Sequence, residues 1–297
     1  MDSWLRCERA QGTVEYVGLV LLVALLMAAL VAATGVNVPG AGLARTLAGK
    51  LVCAVKGGER CAGVERLELA AAYGGELAGS LRRNVPEIRF ERDEFVSLPV
   101  DFRTCRDRSC ADTSVTGTVR RSYEGTPPTA FTRVVDCRGP EPPDDVDCSG
   151  ARAGNVYLQF WLYYPDSATR PLGRFGYHRD DWESFQVRIG PDGSRVARAS
   201  SHAGYNPGRP GLRNILSDTG HSSSPRWGPG LGFLHVAAGS HAGAPVYDGD
   251  DAWRIPRHAL RLVPLEPILA ELDTHTFEVA PPWHKRVWRD PESPETG

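Results

Sequence analysis

The longest uninterrupted apolar stretch runs from Tyr16 to Gly35, YVGLVLLVALLMAALVAATG, and contains no charged residue. At ~1.5 Å rise per residue a helix of about 20 residues crosses a hydrocarbon core of about 30 Å, so this run predicts a membrane-spanning or pilin-like helix. A cleaved secretory signal ending after Ala33 and a buried core helix are the alternatives. The run is longer than the usual signal core, and helices apolar on every face are uncommon in a domain of this size. After a small-residue exit, the stretch VERLELAAAYGGELAGSLRRN carries Leu67, Leu69, Ala70 and Leu77 at mixed three and four spacing. That spacing predicts one amphipathic helix, weakened by Gly74 and Gly75.

From Glu87 to Cys137 the pattern becomes short and β-like, in EIRFERDEFVSLPVDFRTC, TSVTGTVRRSYEG and TAFTRVVDC. RGPEPPDDVDCSG is the sharpest break in the chain and predicts a boundary there, or a loop if the flanking halves share one sheet. Beyond it, NVYLQFWLYY is continuously aromatic and aliphatic, as a central strand covered on both faces requires. DWESFQVRIG, then PDGS, then RVARASSHAGY predicts a hairpin with Asp192 and Gly193 in the turn. GFLHVAAGSHAGAP predicts a further strand, and residues 206–232 form a long Gly, Pro and Ser stretch. AWRIPRHALRLVPLEPILAEL predicts a weak helix interrupted by prolines, and PPWHKRVWRDPESPETG an extended tail. The chain therefore reads as a leader (1–15), the apolar helix (16–35), a Cys-containing helix plus β region (36–150) joined to the same sheet system, and a mainly β domain (151–297).

Charge narrows the function. Lys plus Arg is 34 against 36 for Asp plus Glu, so no global basic field attracts nucleic acid. Only Lys50, Lys56 and Lys285 are lysines. Arg6 and Arg9 before the apolar run face Arg45, Lys50 and Lys56 after it, so flanking charge does not orient the helix. The cysteines do. Cys7 stands alone before the run, while Cys53 and Cys61, Cys105 and Cys110, and Cys137 and Cys148 follow as sequence-local pairs. An even set after a membrane segment suggests disulfides in an oxidising compartment, with a single-pass chain, a cytoplasmic amino terminus and an extracytoplasmic C-terminal domain. Neighbour pairing is one of 15 connectivities for six cysteines.

Candidate chemistry concentrates in GYHRDDWESFQV, residues 176–187. In a strand, alternation puts Asp181 and Glu183 on one side and Trp182 on the other. Two carboxylates so placed raise each other's pKa unless a cation compensates. His178 lies just upstream, and Asp166 in YYPDS completes a set of three carboxylates and an imidazole if the two strands are neighbours. Such donors suit Mg²⁺, Mn²⁺ or Ca²⁺. The alternative is a surface salt-bridge cluster closed by Arg174, Arg179 or Arg188. Ser201 with His202 and Ser240 with His241 are not nucleophile–base pairs, since adjacent strand residues point to opposite faces.

Two resemblances add to this reading. RAQGTVEYVGLVLLVALL resembles the start of a tight-adherence or Flp-type prepilin, with Glu15 and Tyr16 opening the apolar helix. It implies a cut after Gly12, Glu15 as a subunit contact, and pilus or secretion-system components as partners; an interfacial residue is the plain alternative for Glu15. Further along, YYPDS, GYHRDDWESFQV and ASSHAGYN are similar to the necrosis- and ethylene-inducing-peptide-like proteins. That resemblance implies Asp166, His178, Asp181 and Glu183 as divalent-metal ligands and His202 as the family's later histidine, while Asp180 stands where the family has a second histidine. GFLHVAAGSHAGAPVY resembles the related vacuolar-sorting-associated sandwich proteins, which brings His241 toward the same pocket. Both branches imply a β-sandwich, here with peripheral helices and one N-terminal transmembrane helix.

Three functions follow as expectations. The first is a membrane-anchored, extracytoplasmic protein binding a glycan or lipid head group through a divalent ion. The second is a metal-dependent hydrolase on the cell surface, with His178, His202 or His241 as acid or base. The third is a minor pilin-like structural subunit.

Overall fold

A computed structural model of the chain describes residues 62–92, 97–114, 116–140, 145–167, 177–201, 204–206, 227–229, 232–245, 251–269 and 274–294. The leader with Glu15, the apolar run 16–35, Cys7, Cys53, Cys61 and His202 lie outside the described residues. Within them, no helix is long and apolar enough to cross a membrane. Of the described residues, those up to Ala71 fall in one unit and those from Ala72 onward in a second.

Helix α1 (Ala62–Asn84) is two helical stretches meeting at Gly74, whose φ of 76° and ψ of 162° are outside helical space. The kink falls where the sequence places its two adjacent glycines, and only glycine enters that region at little cost. In the larger unit the Tyr73 hydroxyl donates to the Thr132 carbonyl at 2.6 Å.

The rest is mostly β. The strands are β1 (Glu87–Glu91), β2 (Gly117–Thr118), β3 (Thr129–Asp136), β4 (Val156–Ser167), β5 (His178–Ile189), β6 (Arg195–Ser201), β7 (Gly204–Asn206), β8 (Phe233–Val236), β9 (Gly243–Ala244), β10 (Asp251–Ile255) and β11 (Arg261–Pro264). A short helix, α2 (Arg108–Ala111), sits between β1 and β2. Among the described residues one sheet runs β2-β10-β1-β8-β9 and the other β11-β3-β4-β5-β6-β7. The sheets meet at Gly243, where an added Cβ would lie 3.0 Å from the Ala199 Cβ. Two sheets in contact with few helices are consistent with a β-sandwich.

β4 is buried at every position but Asp166. It lies between β3 and β5, and its unbroken apolar sequence suits a strand covered on both sides. β5 and β6 form the expected hairpin, with Gly193 at φ 79° and the Asp192 carboxylate accepting from the Ser194 N–H at 2.9 Å. The Pro- and Asp-rich break at 138–150 joins β3 to β4, which pair antiparallel in one sheet. Cys137–Cys148 closes that connection, and Cys105–Cys110 closes another.

Two expectations fail in the C-terminal part. Over Asp251–Pro264 the expected helix gives way to β10 and β11, separated by a 3-10 turn at Arg257–Ala259. Pro256 and Pro264 withhold helical N–H donors, and Trp253 and Ile255 are buried at period two, the strand spacing. The tail is not loosely extended either. It makes 3-10 turns at Pro282–His284 and Arg286–Trp288. Beyond them Arg198 donates to the Pro291 carbonyl at 2.6 Å and the Ser293 carbonyl at 3.0 Å. Glu292 accepts from the Tyr157 hydroxyl, from Arg188 and from the Trp227 indole at 2.7–2.8 Å. The tail is thus a strap bound to the six-stranded sheet.

Candidate functional site at the acidic end of β5

The register of β4 against β5 places Asp181 opposite Tyr164, Glu183 opposite Leu162 and Trp182 opposite Tyr163. Trp182 packs among Tyr163, Phe102 and Trp283, with ring centroids 5.1–5.8 Å apart. Asp181 turns to His241 instead: its Oδ2 lies 2.7 Å from the ring Nδ1. The imidazole also stacks on Tyr164, centroids 3.8 Å apart and planes within 4°. His241 and Asp181 are 2% and 6% exposed, so the dyad is nearly sealed.

Backbone conformation singles out the same place. Among the described residues three non-glycine positions have positive φ, and two of them are Asp180 (60°) and His241 (54°). Left-handed backbone in an L-residue costs roughly 1–2 kcal/mol, and such positions cluster at functional sites. Here the strain lies on both sides of one hydrogen-bonded dyad.

Glu183 is 7% exposed. The β5–β6 backbone ladder ends at Phe185 and Ala199, and past it the Ser200 hydroxyl accepts from the Ser184 N–H and donates to Glu183 Oε2. Burial, reinforced by the neighbouring Asp181 charge, holds the Glu183 carboxyl well above the ordinary glutamate range. Asp166 is also pushed up by burial, and it feels Asp181 and His241. Negative charge is therefore concentrated where little solvent can screen it.

Lys285 is one cation that both Glu183 and Asp181 act upon. It sits between the two tail turns, 7% exposed, with Nζ 5.9 Å from the centroid of Trp161. Trp161 is the register partner of Ser184, adjacent to Glu183, so the strap brings an ammonium to the acid pair. Burial lowers the Lys285 pKa, while Glu183 and Asp181 oppose that shift. Sequence reasoning missed this residue. Its one signal was rarity, a lysine in a chain whose basic residues are almost all arginine.

The remaining expected residues divide. Asp166 joins Asp181 and His241 electrostatically, from the neighbouring strand as expected. His178 opens β5, half-buried, with ring Nδ1 3.2 Å from the Arg179 carbonyl oxygen. Asp180 points away from the dyad: it accepts from the Tyr163 hydroxyl and from Arg106 at 2.7 Å each and from the Glu278 N–H at 2.9 Å. Burial opposes ionisation of Asp180, and those three donors outweigh it and lower its pKa.

Among the described residues, no three His, Cys, Asp or Glu side chains are gathered tightly enough to hold a metal ion. Asp166, Asp181, Glu183 and His241 are individually oxygen and imidazole donors of the kind that Mg²⁺, Mn²⁺ and Ca²⁺ accept, and burial raises the proton affinity of Asp166 and Glu183.

No family model matches the chain, and no curated protein matches it. It is similar to solved structures. One is a mutant of NLPPya, at 13% identity and TM-score 0.38 over 71% of this chain and 86% of that one. Another is described as a toxin fold for microbial attack and plant defense, at 13% identity and TM-score 0.37 over 71% and 86%. A third is NLPPya in complex with glucosamine, at 16% identity and TM-score 0.33 over 75% and 86%. At scores this low the site is read from its own side chains.

Proposed function

We propose that the chain is a membrane-anchored, extracytoplasmic β protein that binds a polar ligand, a glycan or a lipid head group, through a divalent ion held at the acidic end of β5. The observation that carries this reading is the buried pair Asp181 and Glu183, in which Glu183 is held well above its ordinary pKa. Asp166, Asp181 and Glu183 are the carboxylate ligands, with His178 from the strand start and His241 as the imidazole already tied to Asp181. When bound, the ion offers open positions to ligand hydroxyl or phosphate oxygens. Anchoring rests on the apolar run 16–35, and an extracytoplasmic domain accords with the disulfides Cys105–Cys110 and Cys137–Cys148. Glu15 is the contact for pilus or secretion-system components, if the leader is processed as in prepilins.

The test is sedimentation of the full chain, in detergent, with immobilised glycans and with phospholipid vesicles, with and without chelator. Retention on one of them that chelator abolishes and Ca²⁺, Mg²⁺ or Mn²⁺ restores supports the reading; retention indifferent to chelator contradicts it. A surface hydrolase is the second reading, favoured by one contact, the Asp181 carboxylate orienting the His241 imidazole as acid–base chemistry requires. It predicts product release from the retained glycan or lipid that His241→Gln abolishes without loss of retention.

A further inference from the structure

The strap covers a face of the six-stranded sheet that does not have the composition of a core. Arg133, Gln159, Gln186 and Arg198 stand in one register row across β3, β4, β5 and β6. Each is at most 5% exposed. On the opposite face of β4 to β6 the flanking positions are apolar: Leu158 and Phe160, Phe185 and Val187, Ala197 and Ala199. Burial brings the Arg133 pKa down to about 10 and lowers that of Arg198 as well, as for cations held out of water. The row is also imperfectly matched by what lies over it, since the Gln159 amide nitrogen is buried and finds no hydrogen-bond partner among the described residues. A face that is always covered is better served by packed apolar side chains than by buried charge. Arginine, tyrosine and tryptophan around a polar patch are instead the composition of a recognition surface.

The strap is held there as a peptide ligand is held. Among the described residues its main chain makes one hydrogen bond to main chain elsewhere, from the Asp147 N–H to the Arg289 carbonyl at 2.8 Å. Side chains reaching up from the fold supply the grip. Arg133 donates to the Trp288 carbonyl, and its guanidinium lies 3.6 Å over the Trp288 ring. Arg198 donates to the Pro291 and Ser293 carbonyls. Between them the Glu292 carboxylate, 9% exposed, receives Tyr157, Arg188 and the Trp227 indole. Arginines aimed at carbonyls on either side of a carboxylate seat recognise a short acidic segment, here WRDPES, and nothing in that chemistry requires the segment to belong to the same chain.

We propose that this face is a peptide-recognition groove whose partner is a second copy of the chain, each copy seating the other's 288–293 segment in place of its own. Complementarity sets the occupant: the two arginines and the three-donor carboxylate seat match this sequence, and an exchange in which each copy gives and receives the same segment closes as a twofold pair. The pairing is independent of any cation at the acidic end of β5.

The experiment co-produces affinity-tagged and untagged full chains in one host and measures, in detergent, the untagged copy retained with the tagged one. Synthetic peptides of residues 281–297, wild type and Glu292→Ala, are added in excess and equilibrated. The untagged copy should be retained, the wild-type peptide should lower that retention about tenfold or more, and the Glu292→Ala peptide, which lacks the anchor, should change it less than about twofold. When both copies carry Glu292→Ala, with folding checked by near-ultraviolet circular dichroism, retention should likewise fall about tenfold or more. Should that variant not fold, Arg188→Gln, which withdraws one donor from the same carboxylate, gives the same comparison. Retention that the wild-type peptide leaves unchanged, as association through the apolar run 16–35 would give, overturns the proposal. So does retention released equally by both peptides. Chains that do not retain one another overturn the second copy as occupant, and capture of labelled wild-type peptide by those chains would assign the groove to another peptide.

Discussion

Replacing Arg198 with Met tests whether the C-terminal segment is a strap or a tail. The guanidinium is fully buried. It lies 3.8 Å over the Tyr205 ring and 4.2 Å over the Trp227 ring. Its nitrogens donate to Gln186 Oε1 at 3.1 and 3.0 Å, to the Ser293 carbonyl at 3.0 Å and to the Pro291 carbonyl at 2.6 Å. Met keeps most of the apolar stem but strands three acceptors, each worth about 1–3 kcal/mol when left unsatisfied in the interior. Against that stands the relief of no longer burying a cation, whose cost shows in the downward shift of the Arg198 pKa. A net loss of about 3–5 kcal/mol follows, as for other broken buried charge networks. Urea unfolding of the full chain measures it as a fall in the midpoint at constant slope. Two of the three stranded carbonyls belong to the strap, so trypsin should also cut sooner after Arg286 and Arg289. A loss below about 1 kcal/mol together with unchanged cleavage would refute the strap.

Three further outcomes are expected. Glu183 binds a proton in the folded chain at pH values where the unfolded chain has lost it, because its folded pKa is raised. Wild-type stability should therefore decline relative to Glu183→Gln as pH rises from about 4.5 through the folded pKa, by at most about 1.4 kcal/mol per pH unit, and urea midpoints from pH 5 to 8 should show saturating Ca²⁺ flattening the decline. Asp180→Asn, which tolerates the left-handed backbone but loses the charge paired with Arg106, should cost about 2 kcal/mol by thermal unfolding and leave cation affinity within twofold, since Asp180 faces away from the dyad. The double substitution Cys137→Ser with Cys148→Ser, opening a disulfide of sequence separation 11, should cost about 2–3 kcal/mol in thermal unfolding under oxidising conditions.

What the sequence disclosed depended on whether the information was local. The period-two run in β5, the covered apolar run of β4 and the glycine pair in α1 each act over a few residues, so strands, hairpin and the weak point of the helix were legible, though not the kink itself. The opposed placement of Asp181 and Trp182 followed from alternation alone. The segment from Trp253 to Pro264 misled because its prolines suit either a broken helix or short strands, and the choice was made by partners distant in sequence, β1 and β3. Lys285 was hidden for the same reason. Its approach to Glu183 depends on a strap bound by Arg198 and Arg152, contacts spanning 93 and 138 residues that no local pattern encodes. Asp180 was brought to the site by the resemblance, where it stands in place of a histidine, whereas the left-handed turn of its backbone and three donors hold it elsewhere.

The central claim is that Asp181 and Glu183 are held together by a captured cation, and calorimetric titration addresses it most directly. Ca²⁺, Mg²⁺ and Mn²⁺ are titrated separately into the full chain and into its Asp181→Ala and Glu183→Ala variants, each first stripped of metal. A single saturable site for at least one of these ions, weakened tenfold or more in both folded variants, is the predicted result. Heats equal to those of the detergent blank, or an affinity that neither substitution alters, would contradict it.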